Sequence, residues 1–254
     1  ATWTDASKPL TQEEIRTAFD GFKLYFGRRY ADETEEARRL EIFKETLETV
    51  RQHNADQQRS WDMGLNQFSD MSDSEFTAKV LMAPQNCSAT SAGPAAVKNI
   101  ESGVDGKRLP HAIDWRTYGV ISEVKNQGHC GSCWAFSTAG CLEAHLAIKF
   151  RDTWHAPRLS EQQLVDCAQA FNNHGCNGGL PAQAFEYVRS SGGLSTEFHY
   201  PYFAETRKCS FEGNNFTEGT HFEPRSAGIG VKVPGGSVNL TAGDEAALKR
   251  TLAL

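Results

Sequence analysis

The sequence has no apolar run approaching the ~18 residues that a membrane-spanning helix needs, and no membrane partner is expected. Nor does it have an excess of basic charge. Its 26 Lys and Arg stand against 32 Asp and Glu, a formal net charge of −6, which leaves no electrostatic footprint for nucleic acid. No Met opens the chain, and Ala1–Leu10 carry no basic-then-apolar leader. That start suggests a leader already removed or a sequence that begins late. Cysteine is absent from the first 82 residues, although the chain holds seven.

What is present is ordinary for a soluble globular protein of 254 residues, 39% hydrophobic and 23% charged. The length allows one large domain, or a domain with an extension. Three N-x-Ser/Thr sequons, at Asn86, Asn215 and Asn239, accompany the cysteines. Together they favour the secretory route and an oxidising compartment.

Residues 1–82 interleave acidic and basic side chains as solvated helices do. Thr11 with Glu14 forms a capping box for a helix whose apolar face is Ile15, Phe19, Phe22 and Phe26. A second helix, Thr34 to His53, repeats Leu40, Phe43, Leu47 and Val50, and Ser72 with Glu75 opens a third carrying Phe76 and Val80. Between them, Trp61–Asp70 alternates like a short strand. Read from residues alone, this is a small helical domain packed on its own core.

Residues 125–136 read Lys-Asn-Gln-Gly-His-Cys-Gly-Ser-Cys-Trp-Ala-Phe and precede an apolar-periodic segment, roughly Ser132 to Phe150. Cys133 therefore falls near the first turn of a helix, where free N–H groups and the macrodipole favour a thiolate, the nucleophilic form. Gln127 is a side-chain amide that a loop can bring beside that sulfur, to donate to the oxyanion formed when sulfur attacks a carbonyl.

The run from Cys130 to Trp134 resembles the local signature around the nucleophile of the papain family of cysteine peptidases. Upstream, Glu35, Arg39, Phe43 and Asn54 fall at the spacing of an interspersed helix motif in that family's propeptides, with Thr46 and Val50 as mild departures. Gly64, Asn66, Phe68 and Asp70 match the same propeptide's Gly-x-Asn-x-Phe-x-Asp motif. The resemblance implies that residues 1–82 are an inhibitory propeptide lying backwards through the cleft, with Asp70 as a pH sensor, since protonating a paired carboxylate loosens what it holds.

Residues 83–108 read as a linker, yet Pro84, Gln85, Asn86, Cys87, Ser88, Ala89 and Thr90 resemble the mini-chain of cathepsin H and the aleurains. In those enzymes the octapeptide, here 83–90, stays tethered by a disulfide and turns an endopeptidase groove into an aminopeptidase pocket. Residues 91–108 are then the linker, and the peptidase domain begins at Leu109, in Leu-Pro-His-Ala-Ile-Asp-Trp-Arg. The resemblance further implies disulfides Cys130–Cys176 and Cys167–Cys209, and substrate contacts at Gly131, Gly178, Gly179 and Leu180. Cys141 reads as a small buried apolar residue.

Farther on, Ser160 with Gln163 caps a helix to Cys167, Pro181 opens another to Ser190, and Gly192 or Gly193 ends it. Ser195–Phe203 and Gly228–Val233 read as extended, and Asp244–Leu254 as an amphipathic helix with Leu248 and Leu252 on one face.

Cys130 and Cys133 also form a C-x-x-C, but it follows a Gln-Gly loop rather than the strand of a thioredoxin-like βαβ unit. A zinc site from His129, His174, Cys130, Cys133 and Cys176 lacks a second C-x-x-C, so no metal and no cofactor is expected. The base that a thiolate needs is the weak point. In this family His and Asn lie ~130–150 residues beyond the cysteine, whereas 121 residues follow Cys133 and none of the eight histidines has the Asn/Gly-His-Ala setting.

The resemblance therefore implies an α+β, papain-like precursor: a helical propeptide and mainly the helical, left half of the mature domain, with the β-barrel half largely missing. Full length, it would cleave peptides as an aminopeptidase with some endopeptidase action. Its own propeptide and cystatin-type inhibitors would be its partners, and a lysosome, vacuole or extracellular space its location. The alternative is a naturally short, inactive inhibitor of cysteine peptidases.

Overall fold

A computed structural model describes residues 8–82, 109–150, 158–211, 240 and 243–253. The mini-chain 84–90, the three sequons, Cys87 and the expected strand at 228–233 lie outside the described residues. The chain divides into two compact units, residues 1–79 and 80–254. Val80–Met82 thus group with the second unit, three residues earlier than the expected boundary.

The first unit is built from α1 (Gln12–Tyr25), α2 (Glu33–Ala55) and α3 (Asp73–Lys79). The Thr11–Glu14 capping box forms, the Glu14 N–H donating to Thr11 Oγ1 at 3.2 Å and the Thr11 N–H to Glu14 Oε2 at 2.8 Å. The 3.6-residue spacing then puts Phe19 and Phe22 of α1 against Phe43 and Leu47 of α2. Phe43 is wholly buried, its ring centroid 5.3 Å from Phe19 and 5.0 Å from Phe22.

Trp61–Asp70 is not a strand. Side-chain turns replace a ladder: Phe68 N–H donates to Asn66 Oδ1, and the Ser69 and Met71 N–H groups to the carbonyls of Asn66 and Phe68. Asn66 and Ser69 each offer local hydrogen bonds that compete with extended pairing. Among the described residues no neighbouring strand offers a register for that alternation.

In the second unit α4 (Cys133–Phe150), α5 (Glu161–Cys167) and α6 (Pro181–Ser191) pack around Trp134, Ala139, Leu142, Leu164, Ala184 and Val188. Pro181 starts α6, and Gly192 ends it in the left-handed region at φ 85°. The short α5 is buried although mostly polar, and nearby backbone answers its side chains. Gln163 donates to Tyr187 and to Gly193 O and accepts from Ser195 N–H; Asp166 accepts from Arg207 N–H and Tyr200. Buried amides and carboxylates are tolerable only when partnered in this way.

Ser195–Phe203 is also not a strand. Thr196 makes one antiparallel bridge to Leu159, and its carbonyl then accepts from His199 and Tyr200 in a turn. Among the described residues there is no β-strand longer than that bridge, in keeping with the helix-rich half expected of the α+β fold. The last helix, α7 (Glu245–Leu252), is capped by Asp244, and the Trp115 indole donates to its Leu252 carbonyl at 3.0 Å. Leu248 and Leu252 remain about half exposed. No helix among the described residues is long and apolar enough to cross a membrane.

Candidate active site

Cys133 is the first residue of α4, exposed and free of any disulfide. Two constraints fix the turn ahead of it. The Cys130–Cys176 disulfide, Cα–Cα 4.6 Å, clamps the loop before α4 to the loop that follows α5. Gly131 N–H donates to Cys176 O at 2.9 Å, and a Cβ at 131 would stand 2.4 Å from that oxygen and 2.6 Å from Met82 Cα. Only glycine fits there.

Gln127 lies in the turn before. Gly128 takes φ +61°, and its N–H donates to Asn126 Oδ1. The Gln127 amide donates to Cys130 O at 2.7 Å and to Val80 O at 3.4 Å. The Cys133 thiol in turn donates to Met82 Sδ at 3.7 Å. One three-residue segment, Val80–Met82, therefore touches both the amide and the thiol, so the two face the same small space.

Behind them the loop that holds Gly178, Gly179 and Leu180 packs on Trp134. The Trp134 indole donates to Gly175 O, and a Cβ at Gly179 would meet the Trp134 ring at 2.7 Å. Leu180 N–H donates to Asn173 Oδ1, and His174 N–H to Gly178 O. A second disulfide joins Cys167 to Cys209. The structure thus gathers Gln127, Gly131, Cys133 and the Gly178–Leu180 loop around the start of α4.

Two supporting groups were invisible in the sequence pattern. Tyr202 donates to Gln127 O at 2.8 Å and lies 2.6 Å from the Ser132 hydroxyl, tying the glutamine loop to the head of α4. Burial pushes its own phenol up to about 12. Its partners are 70 and 75 residues away, so no local spacing marks it. Lys125 reaches Glu143 of α4 and Glu161 of α5 at 2.6 Å each, and Glu143 also accepts from Ser122 and Leu159 N–H. Burial, only partly offset by Lys125, pushes Glu161 up to about 7.

Cys141 is exposed, contrary to the expectation of a buried residue. It lies eight residues after Cys133 on the exposed side of α4, its sulfur 3.6 Å from His145 Nδ1. Hydrogen bonding to Cys141 pushes His145 up to about 9. Among the described residues no group of three or more His, Cys, Asp or Glu gathers as a metal site would require.

The propeptide-motif residues occupy the first unit. Arg39 joins α2 to α3, donating to Glu35, Glu75 and Asp70 O. Asn54 and Met63 exchange two hydrogen bonds of 2.8 Å. Asp70 is buried, accepts from Tyr30 at 2.9 Å and lies 3.5 Å from Arg28. Burial and that hydrogen bond push the Tyr30 phenol up. Nothing in the structure explains Gly64, where a Cβ would meet open space.

The head of α4 thus presents an exposed thiol, with a glutamine amide, a disulfide-clamped loop and a buried tryptophan gathered about the same turn. Comparison with known proteins places the chain in a family. The family described as "Papain family cysteine protease" matches residues 109–229, and the "Cathepsin propeptide inhibitor domain (I29)" matches 19–76. The chain is 46% identical over 244 residues to the oryzain gamma chain of Oryza sativa subsp. japonica, covering 96% of this chain and 60% of that one. It is 44% identical over 248 residues to thiol protease aleurain of Arabidopsis thaliana (98% and 62% covered). To pro-cathepsin H of Bos taurus it is 42% identical over 238 residues (93% and 63%). Among solved structures, digestive procathepsin L 3 of Tenebrio molitor larval midgut superposes with TM-score 0.72 at 32% identity, covering 96% of this chain and 71% of that one. The chain belongs to the papain family of cysteine proteases, as a precursor similar to aleurain and pro-cathepsin H. It spans about 60% of the length of the curated relatives it matches.

Proposed function

We propose that the protein hydrolyses peptide bonds through an acyl-enzyme, as an aminopeptidase of cathepsin H or aleurain type with some endopeptidase action. Cys133 attacks the carbonyl carbon, and Gln127 with the Cys133 backbone N–H holds the oxyanion. A histidine acts as the proton shuttle, and none of the eight in these 254 residues has the Asn/Gly-His-Ala setting that the family resemblance implies. Gly131, Gly178, Gly179 and Leu180 bind the substrate backbone, glycine letting it approach closely. Residues 1–82 act as propeptide, 83–90 as mini-chain, 91–108 as linker and 109–254 as part of the peptidase domain. The mini-chain would end in the Thr90 carboxylate, which meets the free amino group of the substrate. Peptides, the protein's own propeptide and cystatin-type inhibitors are its partners, in the lysosome or vacuole of a secretory route.

The observation that carries this reading is the placement of the Cys133 thiol and the Gln127 amide around one short segment, Val80–Met82. The test is hydrolysis of an aminoacyl reporter by the native, acid-treated precursor. Turnover that vanishes in Cys133→Ala supports the reading, and turnover that survives the substitution overturns it.

A further inference from the structure

The Gln127 amide and the Cys133 N–H can serve one oxygen only if their spacing is fixed. The chain between them does little to fix it. Five residues intervene, two of them glycine, and Gly128 lies in the left-handed region at φ +61°. The Cys130–Cys176 disulfide holds the middle of this loop and leaves the Gln127 end to other contacts.

Tyr202 supplies the tie. Its hydroxyl lies 2.8 Å from Gln127 O and 2.6 Å from Ser132 Oγ. A phenol has a single hydrogen and a carbonyl oxygen can only accept. That hydrogen therefore goes to Gln127 O, and the Ser132 hydroxyl donates to the phenol oxygen. The alternative acceptor for Ser132, Cys130 O, is 3.4 Å away, a longer and weaker contact. The result is a directed chain, Ser132 to Tyr202 to Gln127, in which each bond polarises the next. It runs from the residue bonded to the Cys133 nitrogen to the backbone of the glutamine. Ser132 is wholly buried, and the Tyr202 ring packs edge-on to Phe136 with centroids 4.9 Å apart. Burial pushes the phenol up to about 12, so it stays a donor at acidic and neutral pH.

We propose that Tyr202 is a positioning residue for peptide hydrolysis: its hydroxyl sets the distance between the Gln127 amide and the Cys133 N–H. This rests on reading Cys133 as the nucleophile and Gln127 as the oxyanion donor. Tyr202 acts through those two donors and takes no part in the chemistry itself.

The test is steady-state hydrolysis of an aminoacyl reporter by the acid-treated native precursor and its Tyr202→Phe variant, which keeps the ring and loses the hydroxyl. kcat should fall about tenfold or more with KM within about twofold, since the contact matters only where the oxyanion forms. Alkylation of Cys133 by iodoacetamide passes through no oxyanion, so its rate should stay within about twofold of wild type. In a Gln127→Ala background the further loss on Tyr202→Phe should shrink to about twofold or less, because groups that act as a unit are not additive.

An unchanged kcat, a loss confined to KM, or a loss undiminished in the Gln127→Ala background overturns the proposal. So does an alkylation rate that falls as far as kcat, which would mark a merely structural role. If Tyr202→Phe does not yield folded protein, Ser132→Ala removes the other end of the chain and should lower kcat about threefold or more at unchanged KM. An unchanged kcat in that variant equally overturns the proposal. Turnover that survives Cys133→Ala instead removes the assignment of the nucleophile, so the two failures are distinguishable.

Discussion

Arg39 and Glu75 form a two-pronged ion pair, Nη1 to Oε2 at 2.8 Å and Nη2 to Oε1 at 2.9 Å, that bolts α2 to α3. Burial works to raise the Glu75 carboxyl, but hydrogen bonds from Arg39, the Ser72 N–H and Arg38 hold it down at about 2, against an ordinary value of 4.5. A depressed carboxylate contributes stability that is present above its unfolded value and lost as pH falls through the folded one. The first unit should therefore loosen progressively between pH 4.5 and about 2. Hydrogen-exchange protection of α1 and α2, corrected for intrinsic rate, should fall over that window, and Arg39→Ala should remove most of the dependence while costing about 2–4 kcal/mol. Protection that is flat from pH 5 to 3 in the wild type contradicts this.

Glu161 gives the second unit the opposite response. Its carboxyl is raised by burial to about 7, so the folded state takes up a proton. Stability from such a group is full below its unfolded value of 4.5 and is lost as pH rises through about 7. Thermal denaturation followed by tryptophan fluorescence should show a melting temperature that declines across that interval. Glu161→Gln, which mimics the protonated form, should flatten the slope. An unchanged slope in that variant would show that Glu161 does not govern it.

Asn54 predicts a backbone effect rather than a packing one. Its amide donates to Met63 O and accepts from Met63 N–H, both at 2.8 Å, doing for the Met63 backbone what a neighbouring strand would do. Asn54→Asp keeps the acceptor but sets a carboxylate against a carbonyl, and should cost about 1–3 kcal/mol. Urea denaturation read at residues 8–79 by pulse proteolysis measures it. A loss under about 0.5 kcal/mol, the range of neutral surface changes, would mean that the exchange of hydrogen bonds is dispensable.

The base requirement gives a further expectation. Expressed by itself, the 254-residue chain is expected not to turn over an aminoacyl reporter, since the proposed mechanism needs an imidazole to activate the nucleophile and none of the eight histidines has the Asn/Gly-His-Ala setting. Turnover that disappears in Cys133→Ala would show that a histidine within these residues, or another group, fills that role.

Much of this was readable in advance because it is local. Thr11 with Glu14, Ser160 with Gln163 and Pro181 with Gly192 are short-range signals, and each helix starts or stops where its signal falls. Cys133 and Gln127 were legible as chemistry at a helix head. The strands assigned to Trp61–Asp70 and Ser195–Phe203 were not legible, because alternation cannot reveal whether a partner strand exists. Asn66, Ser69 and Thr196 close turns instead. Tyr202 and the Lys125–Glu143–Glu161 cluster act across long sequence separations, where no spacing rule reaches. The exposure of Cys141 is not legible in the sequence, because average burial of cysteine says nothing about which side of α4 it occupies.

The central claim is that Cys133 is the nucleophile of a peptidase precursor. The most direct measurement is to treat the native precursor with acid and label it with a thiol-reactive peptidyl inhibitor. The modified residue is then mapped by mass spectrometry while loss of aminoacyl-reporter turnover is followed. One label per active molecule is expected, on Cys133, in step with the loss of turnover, with Cys141 unmodified. A label on any other residue that abolishes turnover, or full turnover with Cys133 modified, would contradict it.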